Sequence, residues 1–175
     1  MVRKPLIGAL LAIGLAYGTY PYVTLYRLGH AIQQGDLSAL HSMVDWGSVR
    51  EGIKEDICDF VSDQSQQAGD QLPAFGTGFV RGIATNVIDR HVTPEALAAA
   101  AQQSDPLALS GAALQVSWAF FASPSAFVVD LVSPKHVAPI RLQMELRNGM
   151  WHVTRVWLPP ELLGQANPRT LIHWP

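Results

Sequence analysis

Between Lys4 and Arg27 the chain runs for 22 residues, Pro5 to Tyr26, without a charge. Wound as an α-helix, such a run reaches about 33 Å, which matches the ~30 Å hydrocarbon core of a bilayer. A helix buried in a soluble core rarely extends so far without a polar face. All four tyrosines of the chain, Tyr17, Tyr20, Tyr22 and Tyr26, fall in the last ten residues of the run. Tyrosine favours the membrane–water interface, because its ring is apolar and its hydroxyl wants water. Pro21 lies among them and is expected to kink or interrupt the helix as it leaves the lipid.

Three readings of this stretch compete. The first is a permanent membrane anchor, with lipid as the partner of residues 5–26. The second is a cleaved signal peptide, with Leu6 to Ala16 as its apolar part and Ala16-Tyr17-Gly18 as a weak cleavage site. The third is a buried core helix. The tyrosines are a poor cleavage context, so the anchor is preferred. No Cys stands within the run or directly after it, which excludes a lipoprotein. Arg3, Lys4 and the terminal amine precede the span and Arg27 alone follows it closely. The positive-inside rule then keeps the N-terminus in the cytoplasm and places the rest outside. Gly14 and Gly18 stand four apart, as do Gly8 and Ala12, a spacing that lets two membrane helices approach closely. The plainer reading is that Gly and Ala are common in such helices.

The remainder has room for one ordinary domain, which sets the expected organisation as an anchor over 1–26 and a single domain over 27–175. The chain has 175 residues, 49% of them hydrophobic and only 15% charged. The formal charge of −2 argues against a nucleic-acid binder. The single cysteine, Cys58, excludes an internal disulfide and a multi-Cys metal site. It reads as a small buried hydrophobe.

Helices come first. Tyr22, Leu25, Leu28, Gly29 and Ile32 keep a helical period that leads to a stop near Gly35. Asp36 can cap a short helix carrying Leu37, Leu40, Met43 and Val44. Asp45 or Ser48 starts the next, Ser48 and Glu51 fitting a capping box. Its apolar stripe is Val49, Ile53, Ile57, Phe60 and Val61, and its wet side includes Arg50, Lys54, Glu55, Asp56 and Asp59. Ser62 to Pro73 reads as a loop. A further helix carries Phe75, Phe79, Val80, Ile83, Val87 and Ile88, with Arg90 and His91 in its last turn. Thr93-Pro94-Glu95 opens a short helix through Gln103.

From Leu114 the period changes to two. Leu114, Val116, Trp118 and Phe120 alternate with Gln115, Ser117 and Ala119. Ser123-Pro124-Ser125 is a turn, Ala126 to Val132 a second strand, and Ile140 to Arg147 a third. Asn148-Gly149 supplies a type I′ turn. Met150 to Leu158 returns, and Pro159-Pro160 stops the pairing. The tail from Glu161 is expected to lie over the domain. The expected fold is α+β, helices packed on a four-stranded antiparallel meander. A two-residue hairpin pairs Leu146 with Trp151, Met144 with Val153, Leu142 with Arg155 and Ile140 with Trp157. Arg155 then lies on the apolar face. There it needs an internal salt bridge to the acidic helical region, or it offers a cationic head to an anion in a pocket. The salt bridge is preferred.

Charge is uneven along the chain. Residues 36–70 hold eight acids and two cations, and residues 135–175 hold five cations and two acids. The two halves could attract each other, although a solvated acidic helix face is the simpler expectation. Gly76, Gly78 and Gly82 lack the spacing of a dinucleotide loop and suit close helix packing. No nucleophile elbow, zinc-protease motif, C-x-x-C or P-loop lysine occurs, and the six histidines show no ligand spacing. No catalytic residue, metal ligand or cofactor is therefore assigned, and an unrecognised hydrolase is the remote alternative.

Tyr20-Pro21-Tyr22, Leu25-Tyr26-Arg27-Leu28, Gly35-Asp36, Val44-Asp45-Trp46, Val49-Arg50-Glu51-Gly52-Ile53-Lys54 and the closing Trp151 to Pro159 carry a resemblance. Over roughly residues 20–160 the chain resembles the bacterial family called domain of unknown function 2939. The resemblance implies a membrane segment at the N-terminus and carries no catalytic residue. At the level of fold, the pattern is also similar to the small cone-shaped domains of the nuclear transport factor 2 type. Such a shape implies an apolar pocket between helices and sheet, which Trp118, Phe120, Trp151 and Trp157 would either line or fill. The expectation is a single-pass protein of the bacterial inner membrane with a periplasmic domain that binds or scaffolds. A membrane or envelope protein is its candidate partner. The rival is a lipid- or small-ligand-binding module that uses Arg155, Trp118, Trp151 and Trp157.

Overall fold

The computed structural model describes residues 3–67, 82, 85–103, 115–133 and 136–160. Five helices lie among them: α1 (Arg3–Gln34), α2 (Leu37–Met43), α3 (Trp46–Gln67), α4 (residues 85–91) and α5 (Pro94–Gln103). Four strands follow: β1 (Gln115–Ser123), β2 (Ala126–Ser133), β3 (His136–Arg147) and β4 (Met150–Trp157). They form one antiparallel meander in the order β1-β2-β3-β4, so the fold is α+β. The tail from residue 161, Leu114, Gly76, Gly78 and the apolar positions 75, 79, 80 and 83 fall outside the described residues.

Local chemistry sets most of the helix ends. Gly35 adopts a left-handed φ of 68°, open to a residue without Cβ, and ends α1. The Asp36 carboxylate accepts the Ala39 N–H at 3.0 Å and starts α2. Asp45, rather than Ser48, caps α3: its carboxylate accepts the Ser48 N–H at 3.1 Å and the Ser48 hydroxyl at 2.8 Å. Thr93 caps α5 by accepting the Ala96 N–H at 3.1 Å. Two expectations are corrected. Helix α1 continues unbroken through Pro21, which is buried. Helix α3 runs on to Gln67, past the expected loop start at Ser62. Residues 62–67 contain neither Gly nor Pro, and Gln is a good helix former.

The core lies between the helices and one face of the sheet. Leu40, Phe127, Val129 and Met144 are fully buried, joined by Leu28, Ala31, Val49, Ile53, Ile57, Ile88, Trp151 and Val153. Helix α3 packs along β4, and α1 packs on α2 and α5. The linker between α2 and α3 makes one parallel bridge, Val44 to Val153, with the Asp45 N–H on the Val153 carbonyl at 2.9 Å. Asn148 and Gly149, at φ 52° and 79°, form the tight turn expected between β3 and β4.

The register of that hairpin is as expected from Arg147↔Met150 to Met144↔Val153 and then shifts. Gln143 faces Arg155, Leu142 faces Val156 and Arg141 faces Trp157. A β-bulge at Thr154 inserts one residue, and because side chains alternate with period two it moves Arg155 and Trp157 to the outer face. Strand β1 is corrected likewise. A register shift between Val116 and Trp118 interrupts its ladder with β2, and Ala119 and Phe121 turn to the core. Trp118 and Phe120 stand 50% and 57% exposed.

Candidate functional site

Helix α1 has two halves of different character. From Ile7 to Leu15 its large apolar side chains are exposed: Leu11 is 64% exposed and Leu15 70%. From Pro21 onward one stripe, Pro21, Thr24, Leu28 and Ala31, is buried against the domain. The helix over Ile7–Gln34 is long and apolar enough to cross a membrane. A Cβ built at Gly8, Gly14 or Gly18 would find open space, so no part of the described chain packs on that small-residue face.

The four tyrosines divide. Tyr17 donates to the Pro124 carbonyl, stacks on Phe121 with centroids 5.9 Å apart and lies 6.5 Å from Trp151. Tyr22 donates to the Ala119 carbonyl at 3.1 Å and meets the edge of Phe127 at 4.8 Å. Tyr17 and Tyr22 therefore grip the sheet. Tyr17, Tyr20 and Tyr22 are exposed to a similar degree, and Tyr26, 75% exposed, stacks on His30. The contact between α1 and the sheet thus begins at Tyr17, well before residue 26, where the uncharged run ends. No period-based signal could find the partners of Tyr17 and Tyr22, because they lie about a hundred residues away in the chain.

The four aromatic residues expected either to line or to fill one space divide between the two faces of the sheet, Trp118 and Phe120 staying together with ring centroids 6.2 Å apart. Trp151 is buried in the core beside Phe121 and Phe127. Trp118, Phe120 and Trp157 belong to the outer face. Among the described residues Phe127, Val129, Met144 and Trp151 fill the core of the helix-covered face. A shallow groove of about 350 Å³ stays open beside α1, between Tyr22, Leu25, Tyr26, Gly29 and Val116 of β1. Two other grooves lie away from α1. One of about 680 Å³ runs over the outer face past Val128, Pro139, Arg141 and Trp157. Another of about 400 Å³ separates α3 from the outer face, between Glu51, Gly52, Gln143, Arg155 and Trp157.

Arg155 is already paired. Its Nη1 donates to Glu55 at 2.7 Å and its Nη2 to Asp56 at 2.6 Å, and its guanidinium sits 5.5 Å from the centre of the Trp157 ring. Burial, together with the neighbouring Asp59 and Glu55 charges, holds the carboxyl pKa of Asp56 above its ordinary value despite Arg155. A methyl group on Gly52 would stand 2.6 Å from the Arg155 side chain, so this glycine gives the guanidinium its passage along α3. The bulge leaves Arg155 Nε and Thr154 Oγ1 buried without a hydrogen-bond partner. Arg147 pairs with Asp45 at 2.7 Å and with Glu145 at 2.8 Å. The acidic helical half and the basic sheet half thus do attract each other at Asp45, Glu55 and Asp56, where a solvated face was the simpler expectation. Lys54, expected on the wet side, is largely covered and reaches Asp89 of α4 at 2.9 Å. Cys58 is half-buried. Among the described residues no group of three His, Cys, Asp or Glu is placed to hold a metal.

A family model described as "Protein of unknown function (DUF2939)" matches residues 10–100. The chain belongs to that family. The matched residues begin inside the exposed half of α1 and end in α5, so they take in the helical half of the domain. The closing strand from Trp151 to Pro159 lies beyond them. No curated protein and no solved structure matches the chain.

Proposed function

We propose that this protein is a single-pass membrane protein of the bacterial envelope whose α+β domain binds or scaffolds a membrane or envelope partner rather than catalysing a reaction. The observation that carries the reading is α1. One continuous helix presents a bare apolar half to its surroundings and buries a stripe of its other half in the domain core. Leaving so many large apolar side chains in water is unfavourable, by about 25 cal/mol per Å² exposed. Lipid removes that cost, and the shared helix then couples the domain rigidly to the membrane. Arg3 and Lys4 at the start of α1 favour a cytoplasmic N-terminus and a periplasmic domain.

The topology is tested by fusing alkaline phosphatase, and separately a green fluorescent protein, to the C-terminus in a bacterial host. An active phosphatase with a dark fluorescent fusion is expected. A fluorescent fusion with an inactive phosphatase reverses the orientation. A second reading, a small-ligand module, is favoured by the outer groove of about 680 Å³ beside Trp157. In that reading the ligand sits outside the helix-covered face, and Arg155 does not hold its charge. Native mass spectrometry of detergent-extracted protein decides between the two, since a lipid or small molecule retained at fixed stoichiometry through exhaustive delipidation is expected only for the ligand-binding module.

A further inference from the structure

We infer that the end of the sheet bearing both tight turns, Ser123–Ala126 and Arg147–Met150, sits in the headgroup layer of the bilayer as a second membrane contact. This rests on the reading of α1 as a lipid anchor. The ladder pairs Ser123 with Ala126, Ala126 with Glu145 and Glu145 with His152, so the β1–β2 and β3–β4 turns share one end. Tyr17 meets Phe121 and Pro124 at that end. Tyr22 meets Ala119, farther along the strand, and Tyr26 and Gly29 flank Val116 near its start. Going backward from Tyr17, α1 therefore leaves the domain past the two turns.

The reach of the free part is short. Residues 3–16 of α1 precede the first grip on the sheet. At 1.5 Å per residue, 14 helical residues extend about 21 Å, against a hydrocarbon core of ~30 Å. The shortfall of about 9 Å equals roughly six residues of helix, and a tilt only lengthens the requirement. Part of the shortfall is met by local thinning of the bilayer, and the rest draws Tyr17, and the turns with it, down into the headgroup layer. The composition of that end suits the position. Residues 122–126 and 148–151 carry no charge. Met150 offers a 53% exposed apolar side chain at the tip. The nearest cation, Arg147, is already paired with Asp45 and Glu145. Uncharged, partly apolar groups enter the interface without the penalty that a bare charge meets.

The test uses the full chain with Cys58→Ser, carrying one fluorophore-labelled cysteine at a time, in phosphatidylethanolamine–phosphatidylglycerol vesicles. Leu10→Cys reports on the anchor, Ser125→Cys and Met150→Cys on the turns, and Gln115→Cys on the far end of the sheet. Lipids spin-labelled at mid-chain are expected to quench position 10. Lipids labelled near the headgroup are expected to quench positions 125 and 150 severalfold more than 115. A seven-residue apolar insertion after Ala9 adds two turns, about 10 Å, and should lower quenching at 125 and 150 to the level of 115 while position 10 stays quenched. Quenching at 10 without quenching at 125 and 150 overturns the inference and leaves the anchor standing. No quenching at 10 overturns both. Quenching at the turns that survives the insertion shows that α1 does not hold them there, and the inference falls.

Discussion

Arg155 shows how one glycine sets the position of a charge. Its guanidinium passes where Gly52 lacks a side chain and ends on Glu55 and Asp56. Gly52→Ala is expected to push it away and lower stability by about 1–2 kcal/mol. The same change should be nearly neutral once Arg155 is Met, so a double-mutant cycle in urea checks the contact; equal costs in both backgrounds contradict it. Asp45 makes a second prediction. The Ser48 N–H and hydroxyl, helped by Arg147, hold its carboxyl below the ordinary aspartate range, although burial works the other way. A lowered folded-state pKa contributes stability at pH above the unfolded value, and that contribution is lost as pH falls through the folded one. Asp130, held low by its hydrogen bonds from Arg141, has the same sign, whereas Asp56, raised by burial, has the opposite sign. Asp45→Asn keeps a capping oxygen but removes the charge that faces the start of α3 and Arg147; it is therefore expected to cost about 0.3–1 kcal/mol at neutral pH and to flatten the acid limb of the stability curve. An unchanged acid limb counts against the assignment. Gly52 was not legible as a functional position, because a glycine inside a helix does not announce which side chain it admits.

Helix α1 makes the clearest contrast between two parts of one element. Leu28→Ala is expected to cost about 2–4 kcal/mol of domain stability, since Leu28 is buried. Leu11→Arg touches nothing in the domain and should leave the unfolding midpoint in detergent unchanged while weakening membrane retention. If Leu11→Arg unfolds the domain, its exposed half is packed after all. The ends of the helices were legible because capping is local: Gly35, Asp36 and Thr93 act on neighbours within a few residues. The faces of the strands were not. Alternation located β1 and β4, but it is blind to a bulge, and the extra residue at Thr154 reversed the side on which Arg155 and Trp157 lie. In β1 the choice of buried face depended on Phe121 meeting Phe127 and Trp151, contacts made only across the sheet.

The molecule as a whole couples a lipid-compatible helix to an α+β domain through shared core residues. The class of fold and the meander order followed from the change of hydrophobic period near residue 115, together with the Asn148-Gly149 turn. The burial of Trp151 in the core did not follow, because composition alone cannot distinguish aromatic side chains that line a pocket from those that fill a core. The same limit explains the tyrosines: an interfacial residue and one that grips a sheet have the same chemistry and differ only in what stands opposite. Alkaline carbonate extraction of membranes containing the full chain tests the central claim most directly. The intact protein should stay in the membrane pellet, and the Leu11→Arg, Ile13→Arg double variant should move to the supernatant with its domain still folded. Release of the unmodified chain by carbonate would contradict the account.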